Sequence, residues 1–230
     1  MIAGQSIGVI IPALNEEESI GLVIDSITGM FDQIVIVDNG STDRTADIAL
    51  RKGAHVVHEN QRGYGAACLR GIATLAENPP HVVLFMDADA SDHPEDALKI
   101  ATFVADGSCQ MCIGSRVRGE HEHGSLTPVQ VFGNWLSTRL IHVLWKTRYT
   151  DLGPLRAIKW DALLSLCMED RTWGWTIEMQ IKAAKTNLQI LEIPVRYRIR
   201  IGTSKISGTV MGSVRAGTKI ISTIIRYAIR

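Results

Sequence analysis

Four short polar clusters in this 230-residue chain each follow directly on an apolar run: Pro12-Ala13-Leu14-Asn15-Glu16, Asp38-Asn39-Gly40-Ser41, the stretch from Asn60 to Gly65, and Asp87-Ala88-Asp89. Crowded carboxylates repel one another and are costly unless a cation joins them. The pair Asp87-x-Asp89 suits a hard divalent ion holding a diphosphate, since Mg²⁺ or Mn²⁺ takes one or two carboxylates plus phosphate oxygens. A lone Asp-x-Asp is common on surfaces; this one ends the apolar run VVLFM, in step with three similar clusters. Gly63 and Gly65 would let the backbone come close to a ligand, or simply form a turn. There is no G-x-G-x-x-G after the first apolar run and no G-x-x-x-x-G-K, so neither dinucleotide fingerprint nor phosphate loop is present.

The elements that must position these clusters follow from the apolar pattern. A β-branched run at Ile7–Ile11 and a second at Ile34–Val37 read as buried strands, and Ala54–His58, Val82–Met86 and Gln110–Ile113 read as three more. Between them, helices are expected over Glu16–Ile27 with Asn15 as cap, from Ser41 or Thr42 through Lys52, over Gly65–Leu75, and from Pro94 to Val104. Strand–helix alternation with short turns implies an α/β fold on a mostly parallel sheet, with ligands bound at the strands' C-terminal ends. The second half is less regular. Helices are expected over Val129–Trp145 and Thr176–Thr186, and strands over Leu155–Ile158 and Gln189–Arg196.

At 46% hydrophobic and 21% charged residues the composition is that of a folded globular chain. Its zero net charge hides two opposite halves. Residues 1–110 carry 6 Lys/Arg against 16 Asp/Glu, a net of −10, and residues 111–230 carry 18 against 8, a net of +10. No nucleic-acid partner is implied. Without a basic leader and with no uncharged apolar stretch near about 18 residues, neither a secretory signal nor a spanning helix is expected; the expected location is cytoplasmic, free or peripheral on the cytoplasmic face of the membrane. The cysteines Cys68, Cys109, Cys112 and Cys167 read as buried free thiols. After Glu192 there is no acid and there are eight bases. Over Val210–Arg230, Val210, Val214, Ile221, Ile224, Ile225 and Ala228 lie opposite Arg215, Lys219, Arg226 and Arg230. Such a helix either packs on its own domain, joins a partner such as a second copy, or lies on an anionic membrane surface.

Taken together, IPALNEE, VDNGSTD, GYGAACLRGI, MDADASDHPED and GSR resemble the GT-A-fold, family 2 glycosyltransferases. Further on, TDLGPLRAI, GWTIEMQIKA and GTSKISGT resemble the branch with dolichol-phosphate mannosyltransferase and other polyprenyl-phosphate glycosyltransferases. The resemblance implies inverting transfer of a hexose from a nucleotide diphosphate sugar, UDP-glucose or GDP-mannose, with Mg²⁺ or Mn²⁺. The acceptor would be a polyprenyl or dolichyl phosphate or, alternatively, a soluble or polysaccharide hydroxyl. It implies that Pro12, Ala13, Asn15, Glu16 and Asp38 hold the nucleoside, that Asp87 and Ala88 lie by the ribose, and that Asp89 meets the metal and diphosphate. Where the mannosyltransferases place a metal-assisting Gln, this chain has Ser91, with Asp92 beside it. Arg116 would face phosphate, and Arg200 and Lys205 would lie in a loop closing over the diphosphate. Asn134, Ser137 and Arg139 stand near positions that hold a lipid phosphate in those enzymes. On this basis residues 1–205 form the catalytic domain, split into a nucleotide half (1–115) and an acceptor half (116–205), followed by a basic helix at 206–230.

A phosphate acceptor is ionised at neutral pH and attacks unaided, whereas a hydroxyl needs a base. Asp151 and Glu178 are the candidates, or else Asp151 caps a turn and Glu178 orients Lys182. Trp173 and Trp175 are expected at a sugar-pocket rim. His121 and His123 are expected to be solvated or to face the acceptor rather than bind metal.

Overall fold

The computed structural model describes residues 1–203 and 210–229, with side chains of the latter segment from residue 217 on. Seven strands, β1 (Ile7–Ala13), β2 (Gln33–Asp38), β3 (His55–His58), β4 (Val82–Phe85), β5 (Met111–Ser115), β6 (Arg156–Lys159) and β7 (Ile190–Pro194), form one sheet in the order β3-β2-β1-β4-β6-β5-β7. β1 pairs in parallel with β2 and β4, β2 with β3, and β5 with β7. Only β6 runs antiparallel, to both β4 and β5. Two reversals restore the direction, so β5 and β7 point the same way as β1 to β4. The residues that follow β1, β2, β4 and β5 therefore emerge at one edge, joined there by the loop that enters β6.

The helices are α1 (Ile20–Ile27), α2 (Thr45–Arg51), α3 (Tyr64–Leu75), α4 (Pro94–Ala105), α5 (Pro128–Trp145), α6 (Trp160–Ser165), α7 (Trp175–Lys185) and α8 (Val210–Ile229). The period-2 geometry of a strand divides each apolar run between two layers. Ile7, Val9 and Ile11 of β1 with Val82 and Leu84 of β4 pack against α1, α2 and α4. Ile10, Val83 and Phe85 pack on the other face against α3, α6 and α7, joined by Ile141 of α5 and Ile224 and Tyr227 of α8. Both faces are covered, which is why the runs are continuously apolar rather than alternating.

Two helix starts differ from expectation. α1 begins at Ile20, after Ser19, and not at Glu16. Asn15 adopts a left-handed conformation (φ +53°), and the next amides are taken by distant side chains: Asn15 N–H donates to Ser41 Oγ (2.9 Å), Glu16 N–H to Thr45 Oγ1 (2.8 Å) and Glu17 N–H to Asp43 Oδ2 (3.2 Å). Because Ser41 and Asp43 are engaged in this way, α2 in turn starts only at Thr45, after Arg44. By contrast α5 begins where Thr127 and Gln130 form a reciprocal cap and Pro128 fills the first helical position.

Gly63 and Gly65 allow a close approach, but to protein. A Cβ on Gly63 would stand 2.1 Å from the Arg171 carbonyl oxygen, and one on Gly65 would stand 2.0 Å from that of Asp170. Gly65 N–H and Ala66 N–H donate to Thr172 O and Arg171 O, so the start of α3 is laced to the 170–172 loop. Gly65→Ala must push that backbone away and is expected to cost about 2–4 kcal/mol, beyond the usual overpacking range because backbone cannot rotate aside. Urea denaturation would check this.

α8 packs on α5 and α7. Its buried stripe is Thr223, Ile224 and Tyr227, whereas Ile225 is 53% exposed. The helix is turned away from the centre of its apolar arc because Tyr227 O–H donates to Glu178 Oε1 (2.6 Å), Lys219 pairs with Asp170 (2.7 Å) and Arg226 with Glu169 (3.3 Å). Two of its bases thus pair with protein carboxylates. Val210, Val214 and Arg215 of its expected faces, Arg230, Lys205 and the 205/206 boundary lie outside the described residues or side chains.

Candidate active site

Register places the acids. Ala13 is opposite Asp38, Asp38 is opposite His58, and Ile10 is opposite Phe85, so Asp38, Asp87 and Asp89 leave the two strands that flank β1 at one edge. The side wall is built by β2: Asp38 Oδ1 accepts from Ser41 N–H (3.1 Å), its Oδ2 lies 3.1 Å from His58 Nδ1, and Asn39 N–H donates to Ala13 O. Asn15 Oδ1 accepts from Thr42 N–H (2.7 Å), fixing Pro12 to Glu16 against the 41–45 turn.

The floor is acidic. Asp89, Asp92 and Ala88 are buried, and Asp87 is half-buried. Asp89 Oδ1 accepts from the N–H (3.0 Å) and hydroxyl (2.5 Å) of Ser91. Ser91 is fully buried and spends its hydroxyl orienting Asp89 instead of offering it to a cation. Asp92 Oδ2 accepts from Asp87 N–H, while its buried Oδ1 has no partner. Burial and then the neighbouring Asp89 charge push the Asp92 carboxyl up to about 7, and burial, Asp89 and Asp92 raise Asp87 well above the ordinary range.

A cationic strap crosses this floor. Arg198 N–H donates to Ser91 O and Ile201 N–H to Asp89 O, laying 197–201 beside 89–92. Arg200 then bridges the two walls, with one guanidinium nitrogen 2.6 Å from Glu16 Oε1 and another 3.2 Å from Asp89 Oδ2. Residues 184 positions apart in sequence are joined in this way.

Arg116 follows β5. Its Nε and a terminal nitrogen donate to the two oxygens of Asp151 (2.8 Å each), and its own N–H donates to Asp151 Oδ2 (2.8 Å). The guanidinium lies 5.1 Å from the centre of the Tyr197 ring. Burial opposes its charge, but the Asp151 carboxylate more than offsets this and raises the group above its ordinary value. Asp151 is fully buried with both oxygens engaged, so it serves Arg116 rather than standing free as a base. Glu178 is also removed from that role. It lies in the α7–α8 interface, accepting from the amides of Glu169 and Asp170 and from Tyr227 O–H, and pairing with Lys182 (2.9 Å).

Other expectations change too. Trp175 is 1% exposed and packs on Phe85 (5.9 Å between ring centres), so it belongs to the core and not to a pocket rim; Trp173 is half-buried. His121 and His123 are exposed. Cys68, Cys109 and Cys112 are buried thiols, but Cys167 is exposed. Among the described residues no three His, Cys, Asp or Glu side chains converge as a ready metal cage. The donor set nevertheless fits a cation that arrives with a diphosphate, which needs few protein ligands; Asp89, with the unpartnered Asp92 oxygen nearby, supplies them. Sequence reading missed Tyr197, His58 and Glu192. The alternating YRIR tract was the signal available for Tyr197.

Residues 8–163 match the family model for glycosyl transferase family 2. The chain belongs to this family. It is a glycosyltransferase with the GT-A fold. It is 36% identical over 219 residues to an uncharacterized glycosyltransferase of Mycobacterium tuberculosis, covering 94% of this chain and 96% of that one. It is also 30% identical over 228 residues to a dolichyl-phosphate hexose transferase of Haloferax volcanii, covering 97% and 96%. Among solved structures it resembles glucosyl-3-phosphoglycerate synthase from Mycobacterium tuberculosis in complex with Mn²⁺, UDP and phosphoglyceric acid. The TM-score is 0.79 at 24% identity, over 98% of this chain and 79% of that one.

Proposed function

We propose that this family 2 enzyme transfers a hexose from UDP-glucose or GDP-mannose to a polyprenyl phosphate presented at a membrane surface. The observation that carries the reading is the outer face of α5. Val129 and Phe132 are each 61% exposed and Trp135 is 59% exposed, with Val143 and Leu144 continuing the stripe. α5 contains no acid. An apolar, aromatic helix face without acids fits the interface of an anionic bilayer. Through Asn134 it adjoins the loop that carries Asp151, the partner of Arg116. Among the described residues no helix is long and apolar enough to cross a membrane, which suits a peripheral attachment. The relative from Haloferax volcanii, named for transfer to dolichyl phosphate, supports the same acceptor class.

The chemistry agrees. A phosphate oxygen attacks the anomeric carbon, the bond to the nucleoside diphosphate breaks, and that group leaves with the electron pair. With Asp151 and Glu178 both engaged, an acceptor that brings its own negative oxygen fits better than a hydroxyl needing deprotonation. Asp38 accepts from the base, Asp89 anchors the diphosphate end, and Arg116 and Arg200 supply preorganised positive charge where negative charge develops. Mg²⁺ or Mn²⁺, held at Asp89, would neutralise the leaving diphosphate.

The test is a transfer assay pairing each nucleotide sugar and Mn²⁺ with a prenyl phosphate or with soluble hydroxyl acceptors. Product on the prenyl phosphate supports the reading, and transfer confined to hydroxyl acceptors overturns it. Phe132→Asp with Trp135→Asp is expected to weaken co-sedimentation with anionic vesicles by at least about tenfold, given the apolar area withdrawn. The donor-induced rise in melting temperature should stay unchanged.

A further inference from the structure

α5 packs mainly on α8 and α7, and a polar side chain ties it to the loop at the reaction edge. Asn134 sits between Phe132 and Trp135 in sequence but on the inward side of the helix. Its amide nitrogen donates to Thr150 O (2.8 Å), and its amide oxygen accepts from Leu152 N–H (2.7 Å). Both ends of one side chain thus grip the peptides on either side of Asp151. From β7, Glu192 accepts from the amides of Thr150 and Asp151 and from the Thr150 hydroxyl. From α7, Gln180 donates to Asp151 O (2.9 Å). The Glu192 and Gln180 contacts come from elements anchored in the core, whereas the Asn134 contact comes from the helix whose outer face is bare.

We propose that Asn134 is a positioning residue through which the seat of α5 on a lipid surface sets the Asp151–Arg116 pair. This rests on the membrane reading above. Seating α5 moves Asn134, Asn134 carries peptides 150–152, and Asp151 carries the guanidinium it grips by both oxygens. Arg116 is then best placed only when the acceptor's own surface is present. A displacement of about 1 Å at such a group is enough to cost about a hundredfold in rate.

The experiment compares wild type, Asn134→Ala and Asn134→Ser. Alanine favours a helix, and serine is a second variant too short to reach both peptides should the first fold poorly. Hydrogen exchange of the segments 115–118 and 150–153 is followed with and without vesicles of anionic phospholipid. In wild type, vesicles are expected to slow exchange in both segments. The variants should bind vesicles equally and show no such slowing. Their kcat on vesicle-borne prenyl phosphate should fall at least about tenfold, with the KM for nucleotide sugar within about twofold of wild type. Wild type that fails to bind vesicles overturns the membrane reading and this inference with it. Wild type that binds with no change at 115–118, or variants that show the same slowing, overturn the inference alone.

Discussion

Asp89→Asn is expected to lower transfer by at least about 10²–10³-fold, the range for removing one preorganised electrostatic contact in a reaction that develops charge. The amide has nearly the carboxylate's shape, and its oxygen can still accept from Ser91 N–H, so the loss is one of charge. Its nitrogen would face Arg200, so the Arg200 guanidinium would be left to Glu16 while the strap keeps its backbone hydrogen bonds to Ser91 and Asp89. Two readouts separate this from unfolding. The rise in melting temperature that Mn²⁺ and a nucleotide sugar give wild type should vanish, because that rise measures ligand binding to the native state. The pH dependence of stability should also flatten. Asp92 is pushed up to about 7 by burial and then by Asp89, so the native state binds its proton more tightly than the unfolded chain, whose value is near 4. Wild type therefore loses stability as pH climbs through that window. Without the Asp89 charge Asp92 titrates lower, and the slope measured by denaturant titration between about pH 4 and pH 7 becomes shallower. Full activity in Asp89→Asn would remove Asp89 from the diphosphate site.

What was legible in the sequence was local. VVLFM announces a buried strand by its own composition, and the polar residues after it can only lie at that strand's end. Once the chain direction is known, the gathering of Asp38, Asp87 and Asp89 at one edge follows. The helix from Val129 shows in its own periodicity, and in the structure a local cap, Thr127 with Gln130, opens it. Asn15 carries an equally good local signal, and there it fails. Its own amide and the two after it are taken by Ser41, Thr45 and Asp43, 26 to 29 residues away, and no local pattern encodes that competition.

The same limit governs the site. Gly63 and Gly65 suit a close approach to a ligand or a plain turn; in the structure the approaching group is the 170–172 backbone, over a hundred residues on. Asp151 and Glu178 have the composition of candidate bases; what disqualifies them is their partners. Glu178 is claimed by Tyr227, 49 residues later, and Asp151 by Arg116, 35 residues earlier. The opposite charges of the two halves found an explanation of this distant kind. Part of the basic half straps the acidic floor through Arg200, part pairs with carboxylates of its own half, and neither division is visible from counts.

Arg116→Met is expected to destabilise the fold by about 3–5 kcal/mol, because it leaves the fully buried Asp151 carboxylate without its counter-charge. The cost is that of a buried carboxylate with two oxygens left without the guanidinium that held them. Adding Asp151→Leu removes the stranded charge and should recover most of the lost stability, since an apolar pair of similar volume replaces a buried ion pair at little cost. Activity should not return with it. If Arg116 acted only as a structural partner for Asp151, the restored fold would restore transfer. If its charge stabilises the phosphates during transfer, the double variant is stable and inactive, and the separation between melting temperature and kcat measures what the guanidinium contributes to the reaction itself.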